Sequence, residues 1–112
     1  MNSNEFFTDP QKVDVIQTKH RKIITDIPPK ETCQILKTLQ KFEPDSMQRE
    51  LPVLWDHALG YQIFDSSGNC WIDFSSGIFV TNIGHGHPKI VNAIKECLDK
   101  PLLHNYYFPS EI

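Results

Sequence analysis

The sequence predicts an α/β-class chain built as an α+β fragment: a helix, a β-hairpin and a second helix in chain order. Three observations carry that reading. Ile35, Leu36, Leu39 and Phe42 recur at helical spacing. The runs YQIFD and CWIDF, aromatic and β-branched, flank the turn residues SSGN. Ile90, Val91, Ile94, Cys97 and Leu98 then fall on one face of another helix.

Taken in order, residues 1 to about 30 are polar and charged with little periodicity. They read as an extended or weakly ordered arm, with a short strand around Val13, Val15 and Ile16. The first helix is predicted from about Lys30 to Lys41, stopped by Pro44. Residues 1–50 thus form an arm and helix, and the pattern changes at Leu51. LPVLWDHALG ends at Gly60. The hairpin strands are predicted at Tyr61–Phe64 and Cys70–Phe74, joined through Asp65, Gly68 and Asn69. Pro88 opens the second helix, where its missing N–H costs nothing, and Pro101 closes it after about Lys100. The tail LLHNYYFPSEI is aromatic-rich, unlike the polar, frayed ends usual for domains.

Composition narrows the function classes. The net charge is −3 and the pI about 5.9, with no basic run, which argues against nucleic acid or an anionic membrane as partner. The N-terminus lacks the basic and apolar regions of a signal peptide. No apolar window approaches the ~18 residues that span a bilayer. Cys33, Cys70 and Cys97 are odd in number and widely spaced, so they read as packing or surface thiols. A cytoplasmic location is the expectation. The elements are few for 112 residues, and a lone hairpin is marginal in water. Trp55, Phe64, Trp71, Phe74, Phe79, Tyr106, Tyr107 and Phe108 would be hard to cover. The chain is therefore expected to belong to something larger, or to pair extensively.

The stretch FSSGIFVTNIGHGHP holds three of the five glycines and two of the five histidines. His85 and His87 would share a face in a strand, but glycines interleave them and no Cys, Asp or Glu lies at ligand spacing. No metal site is expected, and the histidines read as bonding to backbone in a tight turn. A glycine-rich turn feeding a helix can bind an anion, yet Pro88 removes a donor and no phosphate-loop spacing is present. A substrate contact is the third reading. Ser76 and Gly77 allow close backbone approach, and Ile78 and Phe79 offer apolar walls, the mixture a small-molecule pocket needs. A strand crossing beneath a packed neighbour fits the composition equally well.

Read together, GYQIFDSSGNCWIDFSSGIFVTNIGHGHPKIVNAI resembles the N-terminal part of the class III aminotransferases, pyridoxal-phosphate enzymes of fold type I. The matching positions are Gly60, Phe64-Asp65, Gly68, Trp71, Asp73-Phe74, Ser75 to Gly77, Asn82, and Gly84-His85-Gly86-His87-Pro88, continued by Val91, Ala93 and Ile94. The resemblance covers about Leu51 to Ile112. It implies an incomplete small domain leading into a large cofactor domain, and a homodimer in the intact enzyme. It also implies transfer of an amino group from an ω-amino or basic amino acid, 4-aminobutyrate- or ornithine-like, to a 2-oxo acid. The cofactor, pyridoxal 5'-phosphate, serves as electron sink. The segment Ser76 to Phe79 would line the substrate side of the pocket, making Gly77, Ile78 and Phe79 the expected substrate-binding residues.

The family's Schiff-base lysine, its pyridine-facing aspartate and its phosphate loop lie farther along than PSEI. No catalytic, cofactor-binding or metal-binding residue is thus expected in this chain, and the 112 residues alone are expected to be an inactive piece of the enzyme. Lys89, Lys95 and Lys100 read as the polar face of the second helix. Two alternatives stay open: an aminomutase, decarboxylase or lyase on the same fold, and a non-enzymatic partner-binding module.

Overall fold

The computed structural model describes residues 8–44, 51–100 and 107–109. Their elements are β1 (Ile16–Gln17), β2 (Lys22–Ile23), α1 (Cys33–Phe42), β3 (His57–Leu59), β4 (Gln62–Phe64), β5 (Cys70–Ile72), α2 (Ser76–Phe79) and α3 (Pro88–Leu98). The strands form one sheet in the order β1-β2-β5-β4-β3, and every neighbouring pair is antiparallel. The arrangement is therefore α+β. A parallel α/β unit needs crossovers of a dozen residues or more, whereas β3, β4 and β5 follow one another through short turns.

The predicted hairpin is the centre of the sheet. Ile63 pairs with Trp71 and Phe64 with Cys70. With a side-chain period of two, this register places Ile16, Ile23, Ala58, Ile63 and Trp71 on one face. Ile23 and Ile63 are buried there. The opposite face carries Gln17, Lys22, His57, Phe64 and Cys70, with the His57 ring stacked on Phe64 at 4.6 Å. Trp71 Nε1 is a buried donor without an acceptor among the described residues. β5 stops at Ile72 instead of reaching Phe74. The Asp73 amide still donates to the Tyr61 carbonyl at 2.8 Å, but its side chain then bends the chain away.

The arm is a correction. Residues 8–30 are folded, with Ile16 opposite Ile23 and a second contact between Gln11 and Ile27. Only Ile16 of the three expected strand residues lies in β1; Val15 is exposed. Lys22 pairs with Cys70, and Asn69, wholly buried, fixes the arm. Its Oδ1 accepts from the Ile24 amide at 2.8 Å, and its Nδ2 donates to Thr25 Oγ1 at 2.8 Å. These partners lie more than forty residues apart, so local periodicity carried no sign of them. β3 was likewise not expected; it is recruited by pairing with β4.

α1 begins at Cys33, later than predicted, because the Thr32 amide and hydroxyl both bond back to the Pro29 carbonyl. Neither long helix packs against the sheet. Ile35, Leu39 and Phe42 on α1 are exposed, as are Ile90, Ile94 and Leu98 on α3. Of the aromatics expected to lack cover, Trp55, Phe74, Phe79, Tyr107 and Phe108 are exposed, Phe64 and Trp71 are half-buried, and Tyr106 lies outside the described residues. The radius of gyration is 18.0 Å, against about 13 Å for a compact chain of this length.

Candidate functional site: the turn after the hairpin

The site is built around Asp73, directly after β5. Its carboxylate is nearly sealed, with the side chain 2% exposed. Oδ1 accepts from the Ser75 amide at 2.9 Å and from the Ser75 hydroxyl at 2.6 Å. Oδ2 accepts from the Gly77 amide at 2.9 Å and from His85 Nε2 at 2.7 Å. A carboxylate can only accept, so the proton of the His85 ring sits on Nε2. The Ser75 hydroxyl is the main influence holding the Asp73 pKa down, to about 2. Burial opposes this, while the His85 ring and the Gly77 and Ser75 amides add to it.

What this anchor holds is a strained turn. Ser76, Gly77, Ile78 and Phe79 have φ of 51°, 57°, 60° and 65°. All four lie in the left-handed region, and α2 is a single left-handed turn. The Phe79 amide donates to the Ser75 carbonyl and the Val80 amide to that of Ser76, each at 2.9 Å. Gly77 accepts this geometry freely. The three others each sacrifice about 1–2 kcal/mol, and a β-branched residue such as Ile78 is a genuine outlier there. Hydrogen bonds to a charged group are worth about 1.5–3 kcal/mol each, so those converging on Asp73 can offset the strain.

His85 is positioned from its other side. Its amide donates to the Gly60 carbonyl at 2.7 Å, and the Gly60 amide donates to its carbonyl at 2.9 Å. The Trp55 ring stands edge-on to the His85 ring, 5.8 Å away. Gly84 permits this closeness: at φ 92°, a Cβ would meet Gly60 Cα at 3.2 Å. The expectation that both histidines bond to backbone is half corrected. The His87 ring does, with Nδ1 accepting from the Lys89 amide at 3.3 Å; the His85 ring takes a carboxylate instead. With φ of 92° and 65° at Gly84 and Gly86, the run is no strand and the two rings take different partners.

Of the expected substrate residues, Ile78 and Phe79 are largely exposed, and Gly77 before them is half-buried. Phe74, Val80 and Ile83, close by in the chain, are exposed as well. Reading the sequence missed Asp73 and His85 as a pair. Asp followed by Ser and Gly is a side-chain-turn signal, but nothing local joins residues twelve apart. At α3, Pro88 has no N–H, the Lys89 amide is capped by His87, and the Ile90 and Val91 amides bond to the His87 carbonyl. That terminus has no free amide cradle in its first turn. Among the described residues, no cluster of three or more His, Cys, Asp and Glu could hold a metal, and no helix is long and apolar enough to cross a membrane.

The geometry is an antiparallel sheet carrying a pinned loop that displays apolar side chains. Residues 44–111 match the family described as Aminotransferase class-III. That is more than half of the chain, and the chain belongs to the class III aminotransferases. It is 37% identical over 75 residues to the 4-aminobutyrate aminotransferase of Mycobacterium leprae, a match covering 67% of this chain and 17% of that protein. Over 46 residues it is 46% identical to the acetylornithine aminotransferase of Methanocaldococcus jannaschii, covering 41% of this chain and 12% of the relative. A 5-aminovalerate aminotransferase of Pseudomonas aeruginosa is 38% identical over 66 residues, covering 59% of this chain and 16% of its own. The chain thus spans about a sixth or less of these relatives' length.

Proposed function

We propose that the chain is the N-terminal segment of a pyridoxal-phosphate-dependent aminotransferase that moves an amino group from an ω-amino or basic amino acid to a 2-oxo acid. The carrying observation is the family match over residues 44–111. The donor class follows from relatives named for 4-aminobutyrate, 5-aminovalerate and acetylornithine. In this reading Gly77, Ile78 and Phe79 form an apolar wall of the substrate cleft. Ile78 and Phe79 exclude water from the donor's aliphatic chain, and Gly77 admits it close to the backbone. Residues 51–112 open the small domain, the large cofactor domain lies in further polypeptide, and two copies make the enzyme.

The described residues do not fit the cofactor itself. A Schiff-base lysine needs a desolvated amine, and every lysine here is exposed except Lys22, half-buried on β2. The first turn of α3 has no free amide for a phosphate. On this reading the 112 residues are inactive alone. The uncovered faces of α1 and α3 and the unmet donor on Trp71 support this reading, since each suits a surface that other polypeptide covers.

The test is to load the 112-residue chain with pyridoxal phosphate and dialyse it, beside the same chain extended through the rest of its reading frame. The expected result is cofactor absorbance retained only by the extended protein, which also aminates a 2-oxo acid from 4-aminobutyrate or N-acetylornithine. Absorbance retained by the short chain would contradict the proposal.

A further inference from the structure

We infer that Asp73 and His85 are positioning residues for the substrate wall: together they hold the left-handed turn Ser76–Phe79, and thereby the pose of Ile78 and Phe79. The inference rests on the proposed role of those two side chains as substrate contacts.

Three observations converge on it. First, Ile78 and Phe79 occupy backbone geometry that L-residues avoid, with φ of 60° and 65°. Strain of this kind persists only where the surroundings over-determine it. Second, what over-determines it is Asp73. Its Oδ2 binds the Gly77 amide inside the turn, and its Oδ1 binds both donors of Ser75, the residue before it. Third, His85 ties this assembly to the sheet. Its ring binds the same Oδ2, and its backbone is fixed by paired bonds to Gly60, next to β3. A Cβ on Gly77 would lie 3.8 Å from His85 Cε1, so the ring also lies close against the turn. Relaxing the turn to right-handed values would swing Ile78 and Phe79 off their present directions. Neither Asp73 nor His85 needs to touch the substrate. Each acts through the turn.

The intact, cofactor-loaded protein carrying this chain is the material for the test. Ile78→Ala, Phe79→Ala, Asp73→Asn, His85→Ala, His85→Gln and the Asp73→Asn/Ile78→Ala pair are compared by steady-state kinetics, with the donor and acceptor half-reactions followed separately. Losing one charge-assisted bond should raise the donor KM or lower donor kcat/KM roughly tenfold. Retained cofactor should be unchanged. His85→Gln, which keeps a side-chain donor, should recover part of the His85→Ala loss. The double variant should be less impaired than the product of its singles, because the two changes act on one wall.

Should Asp73→Asn fail to fold, the His85 pair decides alone, since it leaves the other bonds to Asp73 in place. If Ile78→Ala impairs the donor reaction but Asp73→Asn and the His85 variants lose only yield or cofactor, the positioning role is overturned and the wall reading survives. If Ile78→Ala and Phe79→Ala both leave donor kinetics untouched, the wall reading falls and takes the positioning role with it.

Discussion

Two turns in this molecule are built around a buried aspartate, and they do opposite things. In the β4–β5 turn, Asp65 accepts from the Ser67 amide at 3.0 Å, the Asn69 amide at 2.9 Å and Asn69 Nδ2 at 2.7 Å. Positive φ there is confined to Gly68, and the bonds feed inward, through Asn69 to Ile24 and Thr25 of the arm. Eight residues later, Asp73 gathers donors in the same manner but stabilises an unfavourable backbone and exposed apolar side chains. The first turn assembles a scaffold from distant pieces. The second uses similar bonds to maintain a displayed shape. The difference separates a turn that serves the fold from one whose strain sustains an exposed surface.

That contrast can be broken at either end. The largest loss is expected from Asn69→Ala, which leaves the Ile24 amide and Asp65 short of partners in a buried site. It should cost about 3 kcal/mol and expose the Ile24 amide to hydrogen exchange while the α3 amides keep their rates. Gly84→Ala comes next, at about 2 kcal/mol, since both its φ and its contact with Gly60 are violated; the Gly60 and His85 amides should lose protection together. Ser75→Ala removes the hydroxyl bond to Asp73 and retains the amide bond, so a loss of about 1.5 kcal/mol, the low end for a bond to a charged group, is expected, read as faster exchange at Gly77 with Ile24 unaffected. The smallest effect belongs to Lys37→Ala. Its 2.9 Å pair with Asp9 is solvent-exposed on both sides, and exposed pairs contribute little; no measurable change in stability is expected.

How much of this was legible beforehand follows the range of the interactions. The β4–β5 hairpin and both long helices were visible because their signals are local: alternating residues around a turn, apolar residues at helical spacing, Pro88 at a helix start. The arm, read as extended or weakly ordered with a short strand near Ile16, showed nothing of its pairings because they run to Asn69 and Cys70, far along the chain. The resemblance to class III aminotransferases pointed to Ser76–Phe79 as the substrate-facing segment, but its left-handed form was hidden. Gly77 licenses positive φ at one position only, and Ile78 argues against it. The pairing of Asp73 with His85 needed the Gly60–His85 contact to bring the ring back to the sheet edge, a fact of topology rather than of spacing.

The account's central claim is that ionised Asp73 holds Ser76–Phe79 left-handed. The sign of its pH dependence is fixed. The pKa in the folded state, about 2, lies below the ordinary 3.8, so its stabilisation is complete above that ordinary value and is lost as pH falls through about 2. The direct measurement is an NMR titration of isotopically labelled protein. It follows the Gly77 amide shift and the intraresidue amide-to-Hα contacts that distinguish positive from negative φ at Ser76, Ile78 and Phe79. Positive φ should persist from neutral pH to below the ordinary carboxylate range and then collapse together with the Gly77 shift, and Asp73→Asn should lack the left-handed signature already at neutral pH. A turn that keeps positive φ in Asp73→Asn, or never shows it in the parent chain, would contradict the account.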